Sequence, residues 1–143
     1  MIRAFRRLRR DRAGSTIIEF AILAPAIVTL FLGIVQVGTW MQSYNALRSL
    51  AADTGRYVAI KYQKGESLTE TEMGLWAKER GRDHYQFNYA DLLPDVSDAP
   101  NQRITGVTEK TLTLQYNFKS VMSVIGIDDQ TVTFKRPIFV KST

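Results

Sequence analysis

Residues 17–40 read IIEFAILAPAIVTLFLGIVQVGTW, and this stretch decides the fold. It contains 24 residues, of which thirteen are Leu, Ile, Val or Phe and one, Glu19, is charged. As a helix rising about 1.5 Å per residue it would reach roughly 36 Å, enough to cross the ~30 Å hydrocarbon core of a bilayer. A carboxylate costs up to about 3 kcal/mol at the bilayer centre and less near an edge, so the apolar residues outweigh Glu19. The stretch therefore predicts a transmembrane helix.

The basic residues are concentrated before this span. The chain of 143 residues has a net charge of +5, and residues 1–14 account for all of it with six arginines and one aspartate. The arginines are Arg3, Arg6, Arg7, Arg9, Arg10 and Arg12. The positive-inside rule puts them in the cytoplasm and everything after Trp40 on the far side, with Trp40 and Tyr44 at the outer interface.

Composition excludes several classes of protein. The residues after the basic leader are neutral overall, so the sequence offers no basic folded face for nucleic acid. The length excludes a large multi-domain enzyme, and the lack of cysteine excludes disulfides, thiolate metal sites and thiol nucleophiles.

Two kinds of export signal compete with a permanent span. A cleaved secretory signal has an apolar core of about 7 to 15 residues, shorter than this one, and no convincing A-x-A site follows the span. The pair Arg9 and Arg10 hints at twin-arginine export, but residues 11–13 continue that motif poorly. Both alternatives are therefore less favoured than a retained helix.

A glycine, a glutamate and a proline lie at characteristic spacing around the start of the span. Gly14 precedes Ser15, Glu19 is the fifth residue after the glycine, and Pro25 follows within the apolar helix. This order, after a basic leader, resembles the leader of type IV pilins and pseudopilins. The string EFAILAP at residues 19–25 and the string ALRSLAADTGRYVAI at residues 46–60 resemble the TadE-like pseudopilins of the tight-adherence (Flp) pilus system.

This resemblance implies cleavage by a membrane-embedded prepilin peptidase between Gly14 and Ser15. Residues 1–14 would be a removed leader, residues 15–41 a transmembrane helix, and residues 42–143 a periplasmic domain into which the helix continues to about residue 62. The resemblance places the chain in the inner membrane with a cytoplasmic N-terminus, or in the extracellular pilus after assembly. The implied partners are the peptidase, the major Flp pilin, a sister pseudopilin and the inner-membrane assembly platform.

The chemistry of the cleavage point agrees with this interpretation. Gly14 has no side chain to obstruct a protease cleft, and we expect its freedom to discourage the helix from continuing back through the scissile bond. Cleavage would remove the entire excess of positive charge and create a new ammonium on Ser15.

Glu19 then has a candidate partner. In a bundle of packed N-terminal helices, the Ser15 ammonium of one subunit would neutralise the Glu19 carboxylate of its neighbour, a role that the resemblance also implies for the fifth residue. The alternative is that Glu19, near the cytoplasmic edge, snorkels to the headgroups.

Pro25 predicts a local change in the helix. It removes the hydrogen bond to the Ala21 carbonyl and crowds that group, so we expect a bend or loosening over residues 21–25. Prolines are also tolerated in membrane helices without a special role.

The rest of the chain predicts an α+β fold: a long helix, a second helix and an antiparallel sheet of about three strands. An apolar stripe continues the first helix beyond the membrane: Tyr44, Leu47, Ala51, Thr54 and Val58. A capping box at residues 67–70 predicts a second helix that Gly81 ends near residue 80. Alternating residues predict strands at 85–89, 111–118 and 131–135, with Pro137 marking an edge strand and residues 91–102 a loop.

Residues suited to catalysis or metal binding are scarce. His84 is the sole histidine, with no serine or cysteine elbow near it, so we expect it to serve on the surface or in packing. Asp91, Asp95 and Asp98 lack the alternate-residue spacing of a calcium loop, and the pair at residues 128 and 129 suits a turn. We expect neither a cofactor nor a metal site.

The sequence thus predicts a structural protein, not an enzyme: a minor pseudopilin needed for pilus assembly or priming in surface adhesion. The alternative is an uncleaved single-span anchor that presents a periplasmic binding or sensor module. An exported enzyme would need a convergent polar pocket, which the sequence does not reveal.

Overall fold

The computed structural model describes residues 13–141, and their fold begins with one long helix, α1 (Ala13–Gln63). Its 51 residues extend about 75 Å at 1.5 Å per residue. The leader arginines lie outside the described residues. A second helix, α2 (Glu70–Tyr85), follows, and then the strands β1 (Leu92–Asp98), β2 (Val107–Phe118) and β3 (Gln130–Lys141). The long helix, second helix and three-stranded antiparallel sheet confirm the predicted α+β class.

Helix α2 begins with a capping box two residues later than predicted. The Thr69 hydroxyl accepts a hydrogen bond from the Glu72 amide, and the Glu72 carboxylate accepts one from the Thr69 amide. The box predicted at residues 67–70 is therefore wrong. With Thr69 as the cap, Leu68 and Met73 occupy the two positions of a hydrophobic staple; Met73 is buried in the core and Leu68 packs against it.

The end of α2 also differs from the prediction. The helix continues past Gly81 to Tyr85, and Gln86 ends it in the left-handed conformation (φ 56°) with its amide donating to the Gly81 carbonyl. Gly81 is buried where a side chain would overlap the Cδ2 atom of Leu92 and press on Leu50 at 3.2 Å. The glycine thus allows α2 to approach α1 and β1 closely and does not terminate the helix.

The sheet has the order β1-β2-β3 with antiparallel neighbours. The strand predicted at residues 85–89 is wrong, because this segment is the end of α2 and a turn. The loop predicted at residues 91–102 is also wrong in its first part, which forms β1. Pro94 fits there because β1 is an edge strand. Pro137 lies in β3, which is the other edge, as predicted.

The core lies between one face of the sheet and the outer part of α1. The predicted stripe is confirmed: Leu47, Ala51, Thr54 and Val58 are fully buried, and Tyr44 packs against the core. Helix α1 crosses β2 and β3, while α2 packs on β1 and α1. The residues that the strands contribute to this core are Leu92, Val96, Leu112, Leu114, Phe118, Val132, Ile138 and Val140.

The connection between β2 and β3 contains a short 3-10 helix, Val121–Ile125. The Ser120 hydroxyl caps it by accepting from the Met122 amide, and Gly126 ends it in the left-handed conformation (φ 85°). The Asp129 carboxylate closes the base by accepting from the Ser120 amide at 2.9 Å and from the Lys119 ammonium at 2.8 Å. This connection is a closed, hydrogen-bonded unit that contacts α1.

Candidate membrane and assembly segment

The first half of α1 exposes almost all of its apolar side chains. Among the large apolar residues of 17–40, thirteen are exposed: Ile17, Ile18, Phe20, Ile22, Leu23, Ile27, Val28, Leu30, Phe31, Ile34, Val35, Val37 and Trp40. The helix has an 18-residue apolar window with no buried residue, and its length and composition suffice to cross a membrane. Burial of such a surface away from water is worth about 25 cal/mol per Å². Within the described residues 13–141, one helix is therefore suited to a single membrane crossing.

The predicted cleavage point lies at the start of this helix. Gly14 and Ser15 are helical, since α1 begins at Ala13. The expectation that the helix would not continue back through this bond is wrong for the uncleaved chain. When the helix continues, the carbonyls of residues 13 and 14 accept hydrogen bonds from the amides four residues later. The free energy gained from these bonds outweighs the entropy cost of ordering one glycine.

Glu19 lies one turn beyond Ser15 with its side chain exposed on the same apolar stretch. Four residues of helix separate the two positions by about 6 Å along the axis. The two groups of neighbouring subunits therefore need an axial stagger of only about one turn to meet.

Pro25 lies inside α1, and the helix is unbroken on both sides of it. The proline supplies no amide hydrogen to the Ala21 carbonyl. Loss of that single bond does not end the helix here, while the predicted bend stays a prediction.

The side-chain amide of Gln36, near the outer end of the span, is buried and forms a hydrogen bond with the β2–β3 connection. The sequence did not predict this contact. Gln36 is 6% exposed, and its Oε1 accepts a 3.0 Å hydrogen bond from the Val121 amide. Its Nε2 is buried with no hydrogen-bond partner among the described residues. One turn earlier, Gly33 lies beside Met122, whose Cε is 3.9 Å from the position of a Cβ on the glycine. The one available signal was an isolated glutamine within an apolar span.

Aromatic rings mark the level where α1 leaves the span. Trp40 stacks on Tyr44 with ring centroids 5.8 Å apart, and Tyr44 meets Phe134 of β3 edge-on at 5.7 Å. The predicted interfacial pair thus connects the span to the sheet. Tryptophan and tyrosine favour the headgroup level, where one part of the ring system is apolar and the other wet.

The motif at residues 46–60 anchors α2 through Asp53. Its Oδ2 accepts a 3.0 Å hydrogen bond from the Tyr85 hydroxyl and lies 3.4 Å from Nη2 of Arg80. Partial burial and, next, the Asp53 carboxylate raise the pKa of Tyr85. Nearby, Tyr57 and Trp76 stack at 4.3 Å. These contacts give the motif a structural role in joining the two helices.

The remaining candidate polar residues are dispersed. His84 is exposed in the last turn of α2. Asp98 pairs with Lys110 at 2.6 Å, and Asp129 has its pKa lowered by its hydrogen bonds, first from Lys119 and then from Ser120. The described residues contain no group of three His, Asp or Glu side chains placed to hold a metal ion.

The sequence positions with a predicted role therefore share one segment. Gly14, Ser15, Glu19 and Pro25 lie in the first four turns of α1, and the motif at 46–60 covers its packed half. Residues 14–56 match the family of TadE-like proteins. The match covers under a third of the chain. The matched residues include the apolar span and Asp53. No curated protein and no solved structure matches the chain.

The segment similar to TadE-like proteins is residues 14–56. It coincides with the part of α1 that exposes apolar side chains and with the part that carries the folded domain. One helix thus joins a membrane-suited surface to the α+β domain.

Proposed function

We propose that this chain is a minor pseudopilin of the tight-adherence pilus, matured by a prepilin peptidase and required for pilus assembly or priming. The observation that carries the proposal is the match of residues 14–56 to TadE-like proteins on a helix whose first half is exposed and apolar. The role is structural and not enzymatic: the subunit contributes lateral helix packing in the membrane and then in the filament.

The exposed half of α1 supports lateral assembly. A large exposed apolar surface on a folded protein marks a contact with a membrane or with another protein. This surface is long enough to cross a bilayer, and the same side chains can later pack against neighbouring subunits. Thr29, Leu30, Gly33, Ile34 and Val37 line a shallow apolar groove on this face. In lipid the groove accepts acyl chains, and in a filament it accepts the side chains of a neighbouring helix.

Cleavage after Gly14 removes the basic leader and leaves an N-terminus that can pair with a neighbouring subunit. The arginines that favour a cytoplasmic N-terminus leave with the leader, and the mature chain is neutral apart from its new terminal ammonium and its carboxylate terminus. The Ser15 ammonium of one subunit pairs with Glu19 of the next, which fixes the axial register of packed helices. The pairing draws its support from the charge pattern and the one-turn separation of the two positions.

The proposed setting follows from the same features. The mature helix crosses the inner membrane once, with residues 42–143 in the periplasm. Its partners are the peptidase, the major Flp pilin, a sister pseudopilin and the inner-membrane assembly platform. Assembly would carry the subunit into a pilus that serves surface adhesion.

Determining the N-terminus of the membrane-extracted protein tests this function. We expect the mature chain to begin at Ser15, with an intact mass that lacks residues 1–14. A chain that retains the leader would contradict the proposal and favour an uncleaved anchor for a periplasmic binding or sensor module. Co-expression with and without a prepilin peptidase supplies the matched control, since only the first should yield the shorter chain.

A further inference from the structure

We propose that residues 121–127, here called the apolar loop, insert into the outer leaflet of the bilayer that α1 spans. The inference rests on the membrane crossing in the proposed function and adds a second, separate membrane contact. Its occupant is lipid: the headgroup and upper acyl region around the exit of the helix.

The apolar loop exposes an unusual set of side chains. Val124 is 86% exposed and Ile125 is 46% exposed, and Val121 and Ile127 are also exposed. No charged residue occurs in residues 120–127. Large aliphatic side chains at the tip of a connection are unfavourable in water, whereas a lipid surface removes them from it.

The loop does not hang free, because two contacts fix it against α1. The Val121 amide donates to Gln36, and Met122 lies against Gly33. Within the loop, the Ile127 amide donates to the Met122 carbonyl at 3.2 Å. Met122 therefore faces the helix, while the side chains of Val124 and Ile125 are exposed.

The contact point lies at the depth that a lipid contact requires. From Ile17 to Gln36 the helix has 20 residues, about 30 Å, which equals the thickness of the hydrocarbon core. Gln36 then lies at the outer boundary of the core and Trp40 about 6 Å further out, among the headgroups. Ile34 and Val37, near Gln36 on the span, are exposed as well.

The charges near the loop lie at its base, in the residues that join it to β2 and β3. Lys119 and Asp129 pair there with the Lys119 side chain 80% exposed, and Asp128 is also exposed. An apolar tip with a charged base is the pattern of an interfacial element. Two anchors, the loop and Trp40, would hold the helix at one depth and limit its tilt toward the domain.

The absence of cysteine from the chain allows a direct test. Single cysteines replace Val124, Val37 on the span, or Ser67 in the exposed connection between α1 and α2. Each full-length variant is spin-labelled in vesicles of phosphatidylethanolamine and phosphatidylglycerol, and its collisions with oxygen and with a water-soluble nickel chelate are measured.

We expect the label at residue 124 to favour oxygen over the chelate several-fold, as the label at 37 does, and the label at 67 to show the reverse. A water-like label at 124 beside a lipid-exposed label at 37 would overturn the inference and leave the span intact. A water-like label at 37 would overturn the span itself, and the inference with it. A label at 124 that is shielded from both reagents and broadens at high protein-to-lipid ratio would show that a second copy covers the loop, which also overturns the lipid assignment.

A second variant separates insertion from folding. Val124→Asp, read out by a label at Ile125→Cys, should lose the preference for oxygen without a change in circular dichroism. Thr133→Asp, on the exposed face of β3, is the matched control and should leave the label at 125 in lipid. An unchanged preference in Val124→Asp would count against insertion.

Discussion

The Tyr85 hydroxyl donates a 3.0 Å hydrogen bond to Oδ2 of Asp53, which joins the end of α2 to the outer part of α1. The same carboxylate faces Arg80, so one acidic residue of the TadE-like segment serves two residues of the second helix. Helix α2 is thereby attached to α1 by polar contacts as well as by the core.

Replacement of Asp53 by alanine should therefore loosen α2. We expect a loss of about 1–3 kcal/mol in the free energy of unfolding, because the Tyr85 hydroxyl and Arg80 would both lose their partner. Denaturant unfolding of the chain in detergent, followed by circular dichroism, measures it. Tyr85→Phe should lose about 1 kcal/mol, and a double variant that shows simple additivity would contradict a direct coupling.

Gly81 gives a sharper test of how α2 packs. Gly81→Ala places a Cβ into Leu92 and Leu50, so we expect it to lower the free energy of unfolding by about 1–3 kcal/mol. Gly74→Ala is the matched control on the same helix, since the nearest atom to its Cβ is 3.8 Å away. The control should be neutral or stabilising by up to about 1 kcal/mol, because alanine favours the helix. Equal effects of both substitutions would mean that the close approach at Gly81 is unimportant.

The stability should fall in acid partly through Glu109. This carboxylate is 5% exposed on the face of β2 opposite the helices, and its pKa is lowered by the hydrogen bond from Arg103. Because the folded-state pKa lies below the ordinary value of 4.5, the stabilisation is complete above that value and disappears as the pH falls through the folded pKa.

Unfolding measured against pH for the native chain and Glu109→Gln checks this effect. We expect the variant to be less stable at neutral pH and the difference to shrink toward acid. Asp95→Asn, at an exposed carboxylate of β1, is the control and should keep the native pH profile. A difference in the free energy of unfolding between the native chain and Glu109→Gln that stays constant to a pH well below 4.5, the ordinary pKa of the carboxyl group, would refute the assignment.

The long helix and its apolar stripe could be predicted because both depend on local periodicity. Leu47, Ala51 and Val58 recur at helical spacing, and the same residues are buried in the structure. Strands that contain proline could not be predicted as readily. Pro94 suggested a loop, but an edge strand tolerates it because one side of that strand forms no ladder.

Other features depended on contacts between distant parts of the chain. Tyr85 and Phe87 alternate like a strand, yet the turn at Gln86 sends Phe87 into the core while Tyr85 reaches α1. The bond from Val121 to Gln36 spans 85 residues, so no local pattern announces it. Local periodicity thus predicts the long helix and its buried stripe, whereas contacts such as the one between Val121 and Gln36 depend on tertiary packing.

Gly14→Ala should block maturation. A methyl group at the scissile position would obstruct the peptidase cleft, and we expect the rate of processing to fall by about 10-fold or more. Intact mass of the membrane-extracted protein reports the processed fraction. Gly38→Ala is the control in the same helix, because among the described residues nothing beyond the local helix backbone and the two chain neighbours lies within 4 Å of its added Cβ. Normal processing of Gly14→Ala would contradict the cleavage motif.

Glu19→Ala should leave cleavage largely intact and impair pilus assembly. The substitution makes the span more apolar, so membrane insertion is retained, but it removes the carboxylate that pairs with the Ser15 ammonium of a neighbour. Loss of one member of a buried ion pair costs about 3–5 kcal/mol, enough to change the stability of a helix contact by more than 100-fold. Pilus yield on cells, measured beside the processed fraction, separates the two steps.

Glu19→Asp keeps the charge on a shorter side chain and should recover part of the yield, whereas Ile22→Ala, at an exposed apolar position one turn away, should stay close to normal. Pili in normal amount from Glu19→Ala would eliminate the pairing and leave the snorkelling alternative, in which the carboxylate interacts with headgroups alone.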